Sequence, residues 1–79
     1  MGRLKDKKAI VFGAGPNIGG TIAHFLAREG ASVTVSDLSL AAAQETVDFI
    51  REKGFEATAV EGNATSAADV QRIVDFAVT

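Results

Sequence analysis

Residues 11–20, VFGAGPNIGG, hold four of the chain's eight glycines and its single proline. Such a stretch has few side chains to bury and many backbone groups to expose, so it reads as a tight turn. On its N-terminal side, AIVF (9–12) is a short apolar run, as expected of a strand covered on both faces. On its C-terminal side, Ile18, Ile22, Phe25 and Leu26 recur at helical spacing. A strand that turns at once into a helix must return to the sheet by a crossover. The next strand then lies parallel to the first, and the crossover is right-handed.

The rest of the chain repeats this pattern. SVTV (32–35) and ATAV (57–60) are further short runs bounded by glycine or charge, and they predict two more strands. Leu40, Ala43, Val47 and Ile50 form a second helical stripe, and Val70, Ile73, Val74 and Ala77 a third. Gly30 closes the first helix and Lys53-Gly54 the second, while Ser39 is placed to cap the second. Ser66-Ala67-Ala68-Asp69 fits a capping box in which Asp69 reaches back to the Ser66 amide. The order β-α-β-α-β-α implies an α/β fold with a parallel sheet in the order 3-2-1. No linker, low-complexity tract or repeat interrupts it.

Seventy-nine residues make one small unit whose core buries a modest share of its surface. With no cysteine and one histidine, His24, neither disulfides nor a thiolate or multi-histidine metal site can reinforce it. Arg3, Lys5, Lys7 and Lys8 give a basic start, and the residues after it carry four basic against nine acidic side chains. That acidic body disfavours nucleic acid as a partner, and the basic start reads as a solvated lead-in to the first strand. No apolar run approaches the roughly twenty residues needed to span a bilayer, and the N-terminus lacks the apolar core of a secretory signal. The expected setting is cytoplasmic.

Gly13, Gly15 and Gly19 fall at the first strand–helix junction, where an anion can sit on unpaired helix N–H groups. Two phosphate-binding patterns are incomplete here. After Gly15 and Gly20 come Thr21 and Ile22 rather than the Lys-Ser/Thr of a triphosphate loop, and Ile18 occupies the last position of G-x-G-x-x-G. What remains is G-x-G-x-x-x-G. Asp37 ends the second strand 18 residues beyond Gly19, close to the separation of about twenty at which a carboxylate accepts from ribose hydroxyls. Because Ser39 can cap the next helix, Asp37 is expected to be free for that role. Ser36 and Ser39 are explained by capping and turn chemistry.

In these features the chain resembles the N-terminal part of the short-chain dehydrogenase/reductase family, whose members open with a strand, a Thr-Gly-x-x-x-Gly-x-Gly turn and a helix. FGAGPNIG (12–19) takes the place of that motif, with Gly13 and Gly19 as its outer glycines and Asn17 at the middle one. The resemblance covers essentially the whole chain. It implies a Rossmann-type three-layer fold of which residues 1–79 are the N-terminal part of an NAD(P)-binding domain. It further implies cofactor contacts from Gly13, Gly15, Pro16, Asn17, Ile18, Gly19, Asp37, Leu38, Asn63 and Ala64. Asn63-Ala64 stands where the family has an Asp-Val pair that contacts adenine, and the amide of Asn63 keeps an acceptor and gains a donor. Phe12 replaces the motif threonine, and Pro16 removes a backbone donor. Asn17 is the non-glycine residue best suited to a left-handed backbone. The acidic Asp37, with uncharged Leu38 and an uncharged 14–17, favours NAD over NADP.

The family's catalytic Tyr-x-x-x-Lys cannot lie in this chain, which has no tyrosine, so no catalytic residue and no metal ligand is assigned. The chain reads as the cofactor-binding part of a longer oxidoreductase acting on a carbonyl or alcohol substrate, with the complete protein a homo-oligomer as is common in the family. Two alternatives stand beside this: a non-catalytic dinucleotide-binding module, and a flavodoxin-like or receiver-type α/β domain. Phe25, Phe49, Phe55 and Phe76 are expected to pack in the core, and His24, off its helix's apolar stripe, is expected at the surface.

Overall fold

The alternating apolar runs become a three-stranded parallel sheet with helices on both faces. The computed structural model describes residues 4–13 and 18–78. Strand β1 spans Lys8–Phe12, helix α1 Ile18–Arg28, strand β2 Ser32–Asp37, helix α2 Leu40–Glu52, strand β3 Ala57–Glu61 and helix α3 Ala67–Val78. The strands lie in the order β1-β2-β3. Their registers, Lys8↔Ser32 to Phe12↔Ser36 and Val33↔Ala57 to Asp37↔Glu61, bring the C-terminal ends of all three to one edge. Among the described residues, no helix is long and apolar enough to cross a membrane.

Strand alternation sorts the sheet's two faces. Val33 and Val35 of β2 are buried with Ala23 and Ala27 of α1 and Ala43, Val47 and Ile50 of α2. Ala9, Val11 and Ala59 pack against the same cluster. Thr34 and Ser36 point to the opposite face and are buried as well. On that face α3 packs against β1 and buries Ile73. Lys8, the last basic residue of the leader, donates from Nζ to the Val78 carbonyl (3.3 Å). Its charge therefore meets the negative end of the α3 dipole.

The packing departs from the sequence expectation in α1. Among its described side chains, Ala23 and Ala27 are fully buried, Leu26 is half-buried, and Ile22 and Phe25 are exposed; the Ile18 side chain lies outside the described residues. Alanines let the helix axis approach the sheet closely, and this moves the contact line off the larger apolar residues. Phe49 and Phe76 are likewise about half exposed, and only Phe55 of the four aromatic residues joins the core margin. His24 lies the other way from expectation. Its ring is half-buried between Phe49 (centroids 5.2 Å apart) and Phe55 (5.9 Å), and its Nε2 is buried without a hydrogen-bond partner among the described residues. Helical periodicity places His24 on α1, but rings supplied by α2 and the turn after it decide its burial.

Candidate functional site

At the C-terminal edge of the sheet, the ends of β1, β2 and β3 enclose a recess of about 300 Å³. It is lined by Phe12, Gly13, Asp37, Leu38, Gly62, Asn63, Ala64 and Thr65. Five of the residues singled out in the sequence, Gly13, Asp37, Leu38, Asn63 and Ala64, thus meet in one place. They come from three segments joined only by the sheet register. Larger clefts lie elsewhere. One of about 460 Å³ sits at the N-terminal ends of the strands, by Lys8, Ser32 and Arg51. Another, of about 380 Å³, lies between α1 and α2 by His24 and Phe49. Neither holds a residue expected in the site.

Gly13 leaves β1 with φ of 69°, a backbone conformation that side-chain-bearing residues rarely adopt, and its N–H donates to the Ser36 carbonyl (2.7 Å). That bond extends the β1–β2 ladder by one rung and fixes where the glycine turn starts. Gly15, Pro16 and Asn17 lie outside the described residues. Ile18 and Gly19 form the first two residues of α1.

Asp37 ends β2 half-buried, and its Oδ1 accepts the Ser39 N–H (3.0 Å). Ser39 is the N-cap of α2, and its Oγ accepts from the Ala42 amide (3.2 Å). The expectation that Asp37 would be free is therefore corrected. The carboxylate also organises the start of α2, because the N-cap residue's own N–H needs an acceptor that its hydroxyl cannot reach. Among the described residues, no hydrogen bond engages the second oxygen, Oδ2. Leu38 is 70% exposed and forms an open apolar wall.

The loop after β3 is tied down more heavily. Gly62 donates to the Asp37 carbonyl (3.0 Å), which continues the β2–β3 ladder past Glu61. A Cβ at Gly62 would collide with Ile73 Cδ1 and crowd Ser36 Oγ (3.3 Å) and Arg72 Nη2 (3.4 Å). Glycine here lets α3 close over the loop. Sequence reasoning missed Gly62, and its one signal was a glycine directly after the third strand. The backbone N–H of Asn63 donates to Asp69 Oδ2 (2.9 Å), and Asn63 Oδ1 accepts from both the Thr65 N–H (2.9 Å) and the Thr65 hydroxyl (2.7 Å).

The expected capping box is thereby half corrected. Ser66 does cap α3, its Oγ accepting from the Asp69 amide (3.2 Å). The Ser66 N–H, however, donates to the Asn63 carbonyl (3.0 Å). With that amide taken, the Asp69 carboxylate reaches past it to the Asn63 amide. Ser36 is corrected too. It is fully buried, and its hydroxyl lacks a partner among the described residues. It therefore neither caps a helix nor shapes a turn.

The recess carries more acid than base. Leu38, Gly62 and Asn63 also line an adjoining recess of about 240 Å³ with Glu61, Asp69 and Arg72. The Arg72 guanidinium donates to the Glu61 carbonyl (2.8 Å) and stands 3.9 Å from Asp69. Only its Nη2 is engaged in these contacts, and the Arg72 side chain remains about half exposed.

Comparison with known proteins agrees with this fold. Residues 7–79 match the sequence model of a family described as short chain dehydrogenase. The chain is 42% identical over 77 residues to a cyclohexanol dehydrogenase of Acinetobacter sp. (strain SE19), covering 98% of this chain and 31% of that protein. It is 43% identical over 77 residues to a 7alpha-hydroxysteroid dehydrogenase of Escherichia coli (strain K12), covering 98% of this chain and 30% of the relative. The crystal structure of a hydroxysteroid dehydrogenase from Escherichia coli superposes with a TM-score of 0.91 at 43% identity, over 96% of this chain and 32% of that one. A 7α-hydroxysteroid dehydrogenase complexed with NADH and 7-oxo glycochenodeoxycholic acid superposes with a TM-score of 0.90, also at 43% identity, over 96% of this chain and 30% of that one. The chain thus spans about a third of the length of these relatives.

Proposed function

The chain belongs to the short-chain dehydrogenase family, and on that premise we propose that it is the first part of the dinucleotide-binding domain of an NAD-dependent oxidoreductase. The observation that carries this is the recess that Asp37 of β2, Asn63-Ala64 of the β3–α3 loop and Gly13 line together. Its volume of about 300 Å³ is at the lower end for a small-molecule site, in keeping with one nucleoside of a longer ligand. When bound, the nicotinamide cofactor supplies hydride transfer to or from a carbonyl or alcohol substrate.

The chain's own part is binding and orientation. Asp37 Oδ2 accepts from the ribose hydroxyls, and Leu38 covers one face of the nucleoside. Asn63 and Ala64 meet the base. The glycine turn, with Gly13, Gly15, Pro16, Asn17, Ile18 and Gly19, leads the pyrophosphate to the N-terminus of α1, where unpaired amides favour an anion. NAD is preferred to NADP because a 2′-phosphate would be brought against the Asp37 carboxylate. The complete protein carries its catalytic groups and substrate site outside residues 1–79, works in the cytoplasm and assembles as a homo-oligomer.

Titration calorimetry of NAD and NADP into the complete protein, unsubstituted and Asp37→Ala, tests this reading. A hydrogen bond to a charged group contributes about 1.5–3 kcal/mol. NAD affinity is therefore expected to fall about tenfold or more in the variant, while NADP affinity holds or rises. Equal losses for the two would remove Asp37 from the ribose.

A further inference from the structure

The cavity of about 380 Å³ between α1 and α2 is lined by matching positions of the two helices. Gly20, Thr21 and His24 come from α1, and Glu45, Thr46 and Phe49 from α2. Each set is spaced i, i+1, i+4, an arc of about 100° on its helix. The volume falls within the range of small-molecule sites, about 300–1,000 Å³. The rings of His24 and Phe49 stand 5.2 Å apart and tilted at 59°, and Phe49 is about half exposed. His24 Nε2 is buried away from solvent, so the part of the ring that lines the cavity does not include it. An apolar body laid against these rings therefore covers carbon surface.

One polar group in this lining is unmet. Thr21 and Thr46 already have partners. Glu45 is exposed, and its carboxylate has no hydrogen-bond or ion-pair partner among the described residues. In the larger cleft at the N-terminal ends of the strands, by contrast, Lys8, Arg51 and Glu56 each make a hydrogen bond within the protein. Phe49, for its part, already accepts a cation: the Lys53 ammonium lies over its ring, 5.4 Å from the centroid. Lys53 follows Phe49 by one turn of α2 and does not line the cavity, whereas Glu45 precedes Phe49 by one turn and does. We infer that this cavity binds an organic ammonium ion with an apolar body, its charge against Glu45 and its body against Phe49 and His24. Glu45 repels an anion, and a neutral ligand leaves the carboxylate as unpaired as it stands. The cavity shares no lining residue with the recess at the strand ends, so the inference does not rest on the function proposed above.

The test is ligand-detected NMR titration of the complete protein with 3-phenylpropylamine, 3-phenylpropanamide and 3-phenylpropanoate. These probes share a phenyl ring and chain and differ in the charge at the end. The unsubstituted protein is expected to bind the amine about fivefold more tightly than the amide, the factor of an exposed ion pair, and the carboxylate least. Glu45→Gln changes an exposed position and keeps the side chain's size. It should erase the preference, so that amine and amide bind alike. Phe49→Leu keeps an apolar side chain and removes the ring. It should weaken the amine about threefold more than the amide, as loss of a cation–π contact predicts. A preference for the amine that survives Glu45→Gln places the ammonium elsewhere and overturns the inference. Equal binding of the three probes, or no binding of the amine, overturns it as well. Each of these results leaves the proposed function standing, because that reading is tested with NAD and Asp37.

Discussion

The turn after β2 and the loop after β3 leave adjacent strands, face the same recess and are held by different means. In the first, the side-chain bonds are local. Asp37 Oδ1 takes the Ser39 amide two residues on, and Ser39 Oγ takes the Ala42 amide three residues on. In the second, the loop is tied across the structure. Gly62 bonds back to Asp37 in the neighbouring strand, and Asn63 bonds forward to Asp69 inside α3. Ile73 closes over Gly62 from the helix. A locally closed turn keeps its shape whatever packs around it. A loop held by a helix depends on that helix staying docked, so the position of Asn63 is coupled to the packing of α3, whereas the Asp37 side chain is held by bonds within its own turn.

The strongest challenge to this contrast is Ile73→Ala. Ile73 is fully buried, and truncating such a residue costs about 2–5 kcal/mol. Chemical denaturation of the complete protein should show that loss. NAD affinity should fall with it, because the loop over Gly62 loses its cover. Unchanged affinity in the folded variant would show that the loop does not need α3.

A smaller effect is expected from Asp69→Ala, which removes the acceptor of the Asn63 amide and a carboxylate from the first turn of α3. Leaving that amide unpaired costs about 1–3 kcal/mol. The KM for NAD should rise while kcat is little changed. Asp69→Asn, which keeps an acceptor oxygen, should recover most of the KM. If Asp69→Ala changed stability and left KM alone, Asp69 would be a helix cap only.

The smallest effect sharpens the other side. Ser39→Ala deletes the α2 cap and should cost about 1 kcal/mol of stability, read from the denaturation midpoint. The backbone N–H at position 39 survives, so Asp37 keeps its partner and NAD affinity should be unchanged. A fall in affinity would mean that the β2 turn is less autonomous than its bonds indicate.

Legibility in the sequence follows the same division. The elements could be read because their signals are local: apolar runs for strands, periodic stripes and Gly30 or Gly54 for helices, Ser39 and Ser66 for caps. Asp37 and Asn63 could be picked out by position after a strand. Their meeting in one recess could be expected only from the parallel order, since 26 residues separate them in the sequence. The direction of the Asp69 carboxylate was misread because a capping box assumes that the Ser66 amide is unoccupied. The burial of His24 and the exposure of Phe49 were misread because both depend on how α1 and α2 settle against each other.

By itself, the sequence determined the alternation of strand and helix, the glycine turn after β1 and the acidic end of β2. Each rests on backbone preferences and on hydrogen bonds spanning a few residues. Tertiary structure decided which side-chain atoms the protein itself engages. The Asn63 amide is held by Asp69 of α3, and the Asp37 carbonyl by Gly62 of the neighbouring segment. Gly62 matters only because Ile73 lies over it. A residue type fixes how many donors and acceptors a side chain has, but which of them the protein itself consumes is settled only when the chain has closed around them.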